Sequence, residues 1–130
     1  MIVLDASVVV DWLIQSEAGR RVESRIYSRR ESLHAPELLD LEVAQVLRRL
    51  LREGILTATR AEAAVEDLQD LRVTRYSHAV LLPRIWELRH NLSAYDAAYV
   101  ALAEKLDATL LTRDAGLANT ARHSAKIEVL

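Results

Sequence analysis

The chain contains no cysteine, which removes disulfides and thiolate metal sites together. Any metal it binds must be held by oxygen or by histidine nitrogen. No apolar run approaches the roughly 18 residues that a membrane span requires, and the amino terminus lacks the basic segment of a secretory signal. The expectation is a cytoplasmic protein with no membrane partner. No Gly-x-Ser-x-Gly element is present, so no serine nucleophile of that kind is on offer. Repeats, linkers and low-complexity tracts are absent too, which leaves one domain over residues 1–130. Lysine is nearly missing: of seventeen cationic side chains only Lys105 and Lys126 are lysines, the rest being arginine.

What is there suffices for a real core. The chain has 130 residues, 51% of them hydrophobic, which is globular rather than disordered composition. The net charge of −2 argues against a basic coat for nucleic acid. Arginine does fork onto phosphate as lysine cannot, but the charge balance by itself decides nothing.

The first eleven residues organise the rest. Ile2-Val3-Leu4 reads as a strand buried on both faces. Asp5 ends it, Ala6-Ser7 makes a tight connection, and a helix follows from Val8 to Ile14. In an open α/β sheet ligands bind beyond the carboxyl ends of the strands, where Asp5 stands; the competing reading makes Asp5 a helix cap. Ala18 to Arg30 reads as an exposed amphipathic helix with a basic face of Arg20, Arg21, Arg25, Arg29 and Arg30. Ser32 to Ala35 is a second strand. Pro36 is expected in the first turn of a helix that runs to Leu51 and stops at Gly54. On that helix Glu42 has Leu38, Leu39 and Val46 as neighbours, so its carboxylate projects from an apolar stripe. A glutamate is rarely placed there unless it is paired or bound to a metal.

Thr59-Arg-Ala-Glu62 has the form of a capping box opening the next helix, whose acids Glu66, Asp67 and Asp70 read as solvated. Val73 to Tyr76 is expected as an edge strand, and His78 to Asn91 as a helix despite Pro83, with Trp86 in the core. Ser93-x-x-Asp96 is again a capping-box pattern, at the head of an alanine-rich helix. Ala108 to Thr112 is a fourth strand ending in Thr112-Arg113-Asp114, which repeats the hydroxyl and acid at the first strand's tip. A weak helix from Ala115 to Arg122 and an alternating strand from Lys126 to Leu130 close the chain.

Four acids stand out on local grounds: Asp5 and Asp114 at strand tips, Glu42 on an apolar stripe, and Asp96 at a helix start. Together they suggest an all-oxygen site for a hard divalent cation, Mg²⁺ or Mn²⁺. Like charges gathered this way need a counter-ion, and such an ion orients water and stabilises charge on phosphate. Spacing alone does not bring the four together.

The segments Met1-x-x-Leu-Asp5-Ala-Ser7, Pro36-Glu-Leu-x-x-x-Glu42-Val, Leu92-Ser-Ala-Tyr-Asp96-Ala-Ala-Tyr-Val-Ala-Leu-Ala103 and Leu111-Thr-Arg-Asp114 resemble the PIN-domain ribonucleases, and within them the VapC toxins of bacterial toxin–antitoxin pairs. The resemblance covers essentially the whole chain in the right order. It implies a three-layer α/β/α sandwich around a mostly parallel sheet, a homodimer, and inhibition by a cognate VapB-type antitoxin. It also implies that Asp5, Glu42, Asp96 and Asp114 hold the metal and that Ser7 and Thr112 supply supporting hydroxyls. Arg113 becomes a candidate for substrate phosphate. Some relatives carry a further acid at the position of Gly116, so a second metal site is in doubt. The implied activity is hydrolysis of RNA, at tRNA or rRNA loops, leaving a 3′-hydroxyl and a 5′-phosphate.

Two alternatives stay open beside it. A phosphoacceptor receiver domain has similar length and a Mg²⁺-binding acid cluster, but it needs an Asp ending a mid-chain strand and a Lys at a late strand tip. A catalytically silent PIN-like binding module is the other. An Asp-x-Asp phosphatase is excluded because position 7 is Ser.

Overall fold

The computed structural model describes residues 1–120 and 122–130. Ile2–Leu4 forms β1, with all three side chains fully buried, as a run without polar partners requires. Ala6–Leu13 (α1) and Glu17–Arg29 (α2) lead to Leu33–Pro36 (β2); Leu38–Arg52 (α3) and Ala58–Asp70 (α4) lead to Val73–Tyr76 (β3). A 3₁₀ turn at His78–Leu81, then Leu82–Glu87 (α5) and Ala94–Leu106 (α6), connect to Thr109–Thr112 (β4). Ala115–Ala118 (α7) and Lys126–Val129 (β5) complete the order.

The strands form one sheet in the order β3-β2-β1-β4-β5, and every neighbouring pair is parallel. From β1 the chain steps outward to β2 and β3, then crosses back to β4 on the other side of β1. Right-handed crossovers therefore place α1 to α4 on one face and α5 to α7 on the other. That is a three-layer α/β/α sandwich. The reversal between β1 and β4 is a switch point, whose crevice opens at the carboxyl ends of those two strands. Register fixes what lies there: Leu4 is opposite Leu111, and the amide of Asp5 donates to the carbonyl of Leu111 at 3.0 Å.

Helix α6 lies against β1, β2 and β4, and its residues 97–103 are all buried. Four of them are alanine, so the backbone comes close to the sheet on one side and to α5 on another. Gly19 does the same for α2 and α1, since a Cβ there would meet the Asp11 carbonyl oxygen at 1.9 Å. No helix among the described residues is long and apolar enough to cross a membrane.

Several local expectations are corrected. Pro36 ends β2 instead of opening a helix; β1 pairs β2 only as far as His34, so the missing N–H breaks no ladder bond. The cap of α4 is Thr57, whose hydroxyl accepts from the Arg60 amide, so Thr59 to Glu62 lies within the first turns. The single helix expected over residues 78–91 divides. Ser77 caps the 3₁₀ turn, and Pro83 falls in the first turn of α5, where its lack of a donor costs nothing. Trp86 is not core: it stands one position off the stripe of buried Leu81, Ile85 and Leu88 and is 67% exposed, with the Arg89 guanidinium 4.7 Å from its ring centroid. The last helix is one turn, Ala115–Ala118, capped at Asn119, and does not reach Arg122, whose φ of +73° is left-handed. Ala121 lies outside the described residues.

Candidate metal-binding active site

Asp5 stands at the start of α1 in extended conformation, yet its side chain makes no capping bond. Its Oδ2 instead accepts from Ser7 Oγ at 3.0 Å and from Thr112 Oγ1 at 2.6 Å. The helix-cap reading of Asp5 is thereby set aside. Thr112 is fully buried, and its hydroxyl in turn accepts from the Asp114 amide at 3.0 Å. Ser7 Oγ likewise accepts from the Arg113 amide at 3.0 Å. These four bonds stitch the tips of β1 and β4 together: both hydroxyls hold the Asp5 carboxylate, and they also hold the backbone amides of Arg113 and Asp114.

Glu42, in the second turn of α3, is half-buried, and its Oε1 accepts a 2.6 Å hydrogen bond from the phenol of Tyr99 on α6. Its carboxyl is held above the usual glutamate range. Burial is the main cause, the Tyr99 bond opposes it, and the charges of Asp5 and Asp96 add to it. Asp96, in the first turn of α6, is also held high, by burial and by the charges of Asp5 and Asp114, against the Ser93 hydroxyl. Ser93 caps that helix, accepting from the Asp96 amide at 3.1 Å, so the capping pattern and the acid site are the same residues. The Tyr99 phenol is pushed well above its usual range by burial and by Glu42. The four acids thus feel one another across four separate elements: Glu42 with Asp5 and Asp96, and Asp96 with Asp5 and Asp114.

Asp114 is exposed and folds back on its own helix, Oδ1 accepting from the Gly116 amide at 2.8 Å. A Cβ at position 116 would lie 2.9 Å from that oxygen, so glycine is what lets the carboxylate take this pose. Among the described residues no three histidine, aspartate or glutamate side chains stand close enough to ligate one ion directly. The reason is visible in the bonds above, since Glu42 is tethered to Tyr99 and Asp114 to Gly116. The donor set nonetheless fits a hard cation: it is all oxygen, part-buried and self-repelling. Mg²⁺ commonly takes one or two carboxylates and keeps several waters.

Arg113, the expected phosphate contact, is engaged instead, its Nη1 lying 2.6 Å from Asp11 Oδ2. Arg25 on the expected basic face is likewise paired, to Glu128 and Glu31. The sequence reading missed Tyr99 and Asp11. A tyrosine three residues after Asp96, on the same helix face, was the available signal for the first; Asp11 carried none. A receiver domain does not fit, because the mid-chain strands end in Pro36 and Tyr76 and Lys126 opens β5.

The PIN domain family model matches residues 2–123. The chain belongs to the PIN-domain family. Ribonuclease VapC9 of Mycobacterium tuberculosis is 42% identical over 130 residues, covering 100% of this chain and 98% of that protein. Ribonuclease VapC1 of the same species is 43% identical over 118 residues, covering 89% and 87% respectively. Among solved PIN-type structures, VapBC2 from Rickettsia felis, bound to a DNA fragment from its promoter, superposes with a TM-score of 0.71 at 13% identity, covering 99% of this chain and 98% of that one. Mycobacterium tuberculosis VapC20, titled a sarcin–ricin loop cleaving toxin, gives 0.67 at 18% identity over 92% and 94%. At these identities the structural likeness speaks to fold.

Proposed function

We propose that this PIN domain is a metal-dependent endoribonuclease, the toxin of a toxin–antitoxin pair, built as one nuclease unit over residues 1–130. The observation that carries the reading is the convergence at the sheet's switch point of Asp5 and Asp114, on strand tips joined through Thr112, with Glu42 and Asp96, whose carboxyls burial and the neighbouring acids hold above their usual range. Full-length identity of 42% to a protein named a ribonuclease supports the substrate class.

Asp5, Glu42, Asp96 and Asp114 would hold a Mg²⁺ or Mn²⁺ ion, directly or through its waters. When bound, such an ion neutralises the carboxylates, orients an attacking water and stabilises charge on the phosphoryl oxygens. The residues of the chain set up that site beforehand. Ser7 and Thr112 fix one oxygen of Asp5, and Tyr99 fixes the Glu42 carboxylate. The α6 amino terminus favours negative charge at Asp96. Water adds to phosphorus and the 3′-oxygen leaves, giving a 3′-hydroxyl and a 5′-phosphate. The RNA is of the tRNA or rRNA class, and the partner is a VapB-type antitoxin acting on a homodimeric toxin.

The test is cleavage of purified RNA in Mg²⁺ and in chelator, with the 5′ ends mapped for the native protein and for Asp96→Asn. Discrete 5′-phosphate ends that require both the ion and Asp96 are expected. Equal cleavage by native and variant protein, or cleavage unaffected by chelator, would overturn the assignment. A silent binding module would give no ends at all.

A further inference from the structure

We propose that Arg49 and Arg52, on the flank of α3 that carries Glu42, hold the RNA phosphates that flank the scissile one. The inference rests on the nuclease reading of the acid site and adds a substrate track to it. Arg49 lies seven residues beyond Glu42, which turns it only about 20° from Glu42 around the helix and places it about 10.5 Å farther along the axis. Arg52 follows about 15 Å from Glu42, displaced about 80° to one side. Gln45, Val46, Arg48, Arg49, Arg52 and Glu53 line a concavity of about 480 Å³ on this flank. A strand whose reacting phosphate sits at the acids and which follows α3 therefore meets these guanidinium groups next.

Three observations favour phosphate as the occupant. Arg48, Arg49 and Arg52 are exposed, and among the described residues none of them forms an ion pair. Arg25, Arg75, Arg84 and Arg113, by contrast, are committed to Glu128, Asp40, Glu104 and Asp11. The acid site itself offers an RNA backbone only negative side chains, and Arg113 beside it is already paired. Beyond the ion held at the acids, binding energy for a polyanion comes from cations farther along the path, and the guanidinium fork suits phosphate. Glu53 closes the far end of the concavity with a carboxylate, which limits how far the backbone follows the helix.

The variants are Arg49→Gln/Arg52→Gln, its conservative counterpart Arg49→Lys/Arg52→Lys, and a control of equal charge loss, Arg29→Gln/Lys105→Gln, at the far ends of α2 and α6. The substrate is a single-stranded RNA that the native protein cleaves, assayed over a range of salt. For the glutamine pair KM should rise roughly tenfold with kcat nearly unchanged. The plot of log affinity against log salt should become shallower by about 1.4, since each phosphate contact on a single strand contributes about 0.7. The lysine pair should restore the slope, the control should match native protein, and Glu53→Gln should lower KM. Unchanged KM and slope in the glutamine pair, or an equal loss in the control, would overturn the proposal. So would intact RNA kinetics with lost binding of a protein partner, which would assign this face to protein docking. Native protein that cuts no RNA would fail the nuclease reading first, and this inference with it.

Discussion

The phenol of Tyr99 donates a 2.6 Å hydrogen bond to Oε1 of Glu42, joining α6 to α3 across the carboxyl end of the sheet. It stabilises the ionised glutamate against burial and against Asp5 and Asp96. In Tyr99→Phe the Glu42 carboxyl should move still higher, and the acidic limb of the pH–rate profile should move to higher pH with it. Loss of a hydrogen bond to a charged group should cost about 1.5–3 kcal/mol of stability. Chemical denaturation and a carboxyl NMR titration check both effects; a pH profile that does not move would deny the tether its role.

Glu42 and Asp96 are both held above their ordinary values of 4.5 and 3.8. Between those values and the raised folded ones, the native state binds more protons than the unfolded chain. Stability therefore falls as pH rises through that window. Glu104, held low by Arg84, works the other way, and its contribution is lost as pH falls through its lowered value. In chelator, Glu42→Gln and Asp96→Asn should each raise the melting temperature at neutral pH by a few degrees and flatten its fall above about pH 4. Scanning calorimetry across that range reads it directly.

Thr112 is buried and bonded twice, donating to Asp5 and accepting from the Asp114 amide. Thr112→Val keeps the shape, removes both bonds and leaves the part-buried Asp114 amide without its partner, at a cost of about 1–3 kcal/mol. Because the hydroxyl orients the carboxylate proposed to hold the ion, affinity for Mn²⁺ should drop about ten- to a hundredfold. Thr112→Ser should recover most of that affinity. A serine variant as weak as the valine one would show that packing, not the hydroxyl, matters.

Asp11 holds Arg113 away from solvent phosphate. As a partly exposed pair it should contribute at most about 1 kcal/mol to stability. Asp11→Asn should free the guanidinium and lower KM for RNA, whereas Arg113→Gln should leave KM near native. A rise in KM for Arg113→Gln would make Arg113 a substrate contact in spite of its partner.

Much of this arrangement was legible in the chain. Asp5 and Asp114 announced themselves as polar residues ending apolar runs, because buried parallel strands tolerate such residues only at their tips. Glu42 was visible as an acid out of place on an apolar stripe, and Asp96 through the Ser93 cap. What stayed hidden depends on where strands and helices end. Pro36 fits β2 only because β1 has already stopped, a fact of register that local propensity does not contain. Trp86 lies outside the core because the stripe that packs inward is Leu81, Ile85 and Leu88, one position off Trp86, a choice among apolar positions that only tertiary packing makes. The Tyr99–Glu42 and Arg113–Asp11 pairs join residues 57 and 102 positions apart, which no local pattern can supply.

The most direct measurement is calorimetric titration of Mn²⁺ into chelator-stripped protein, comparing native with Asp5→Asn and Asp96→Asn. Native protein should take up the ion and gain thermal stability from it, while both variants bind at least about tenfold more weakly. Equal uptake by all three would contradict a shared ion at the four carboxylates.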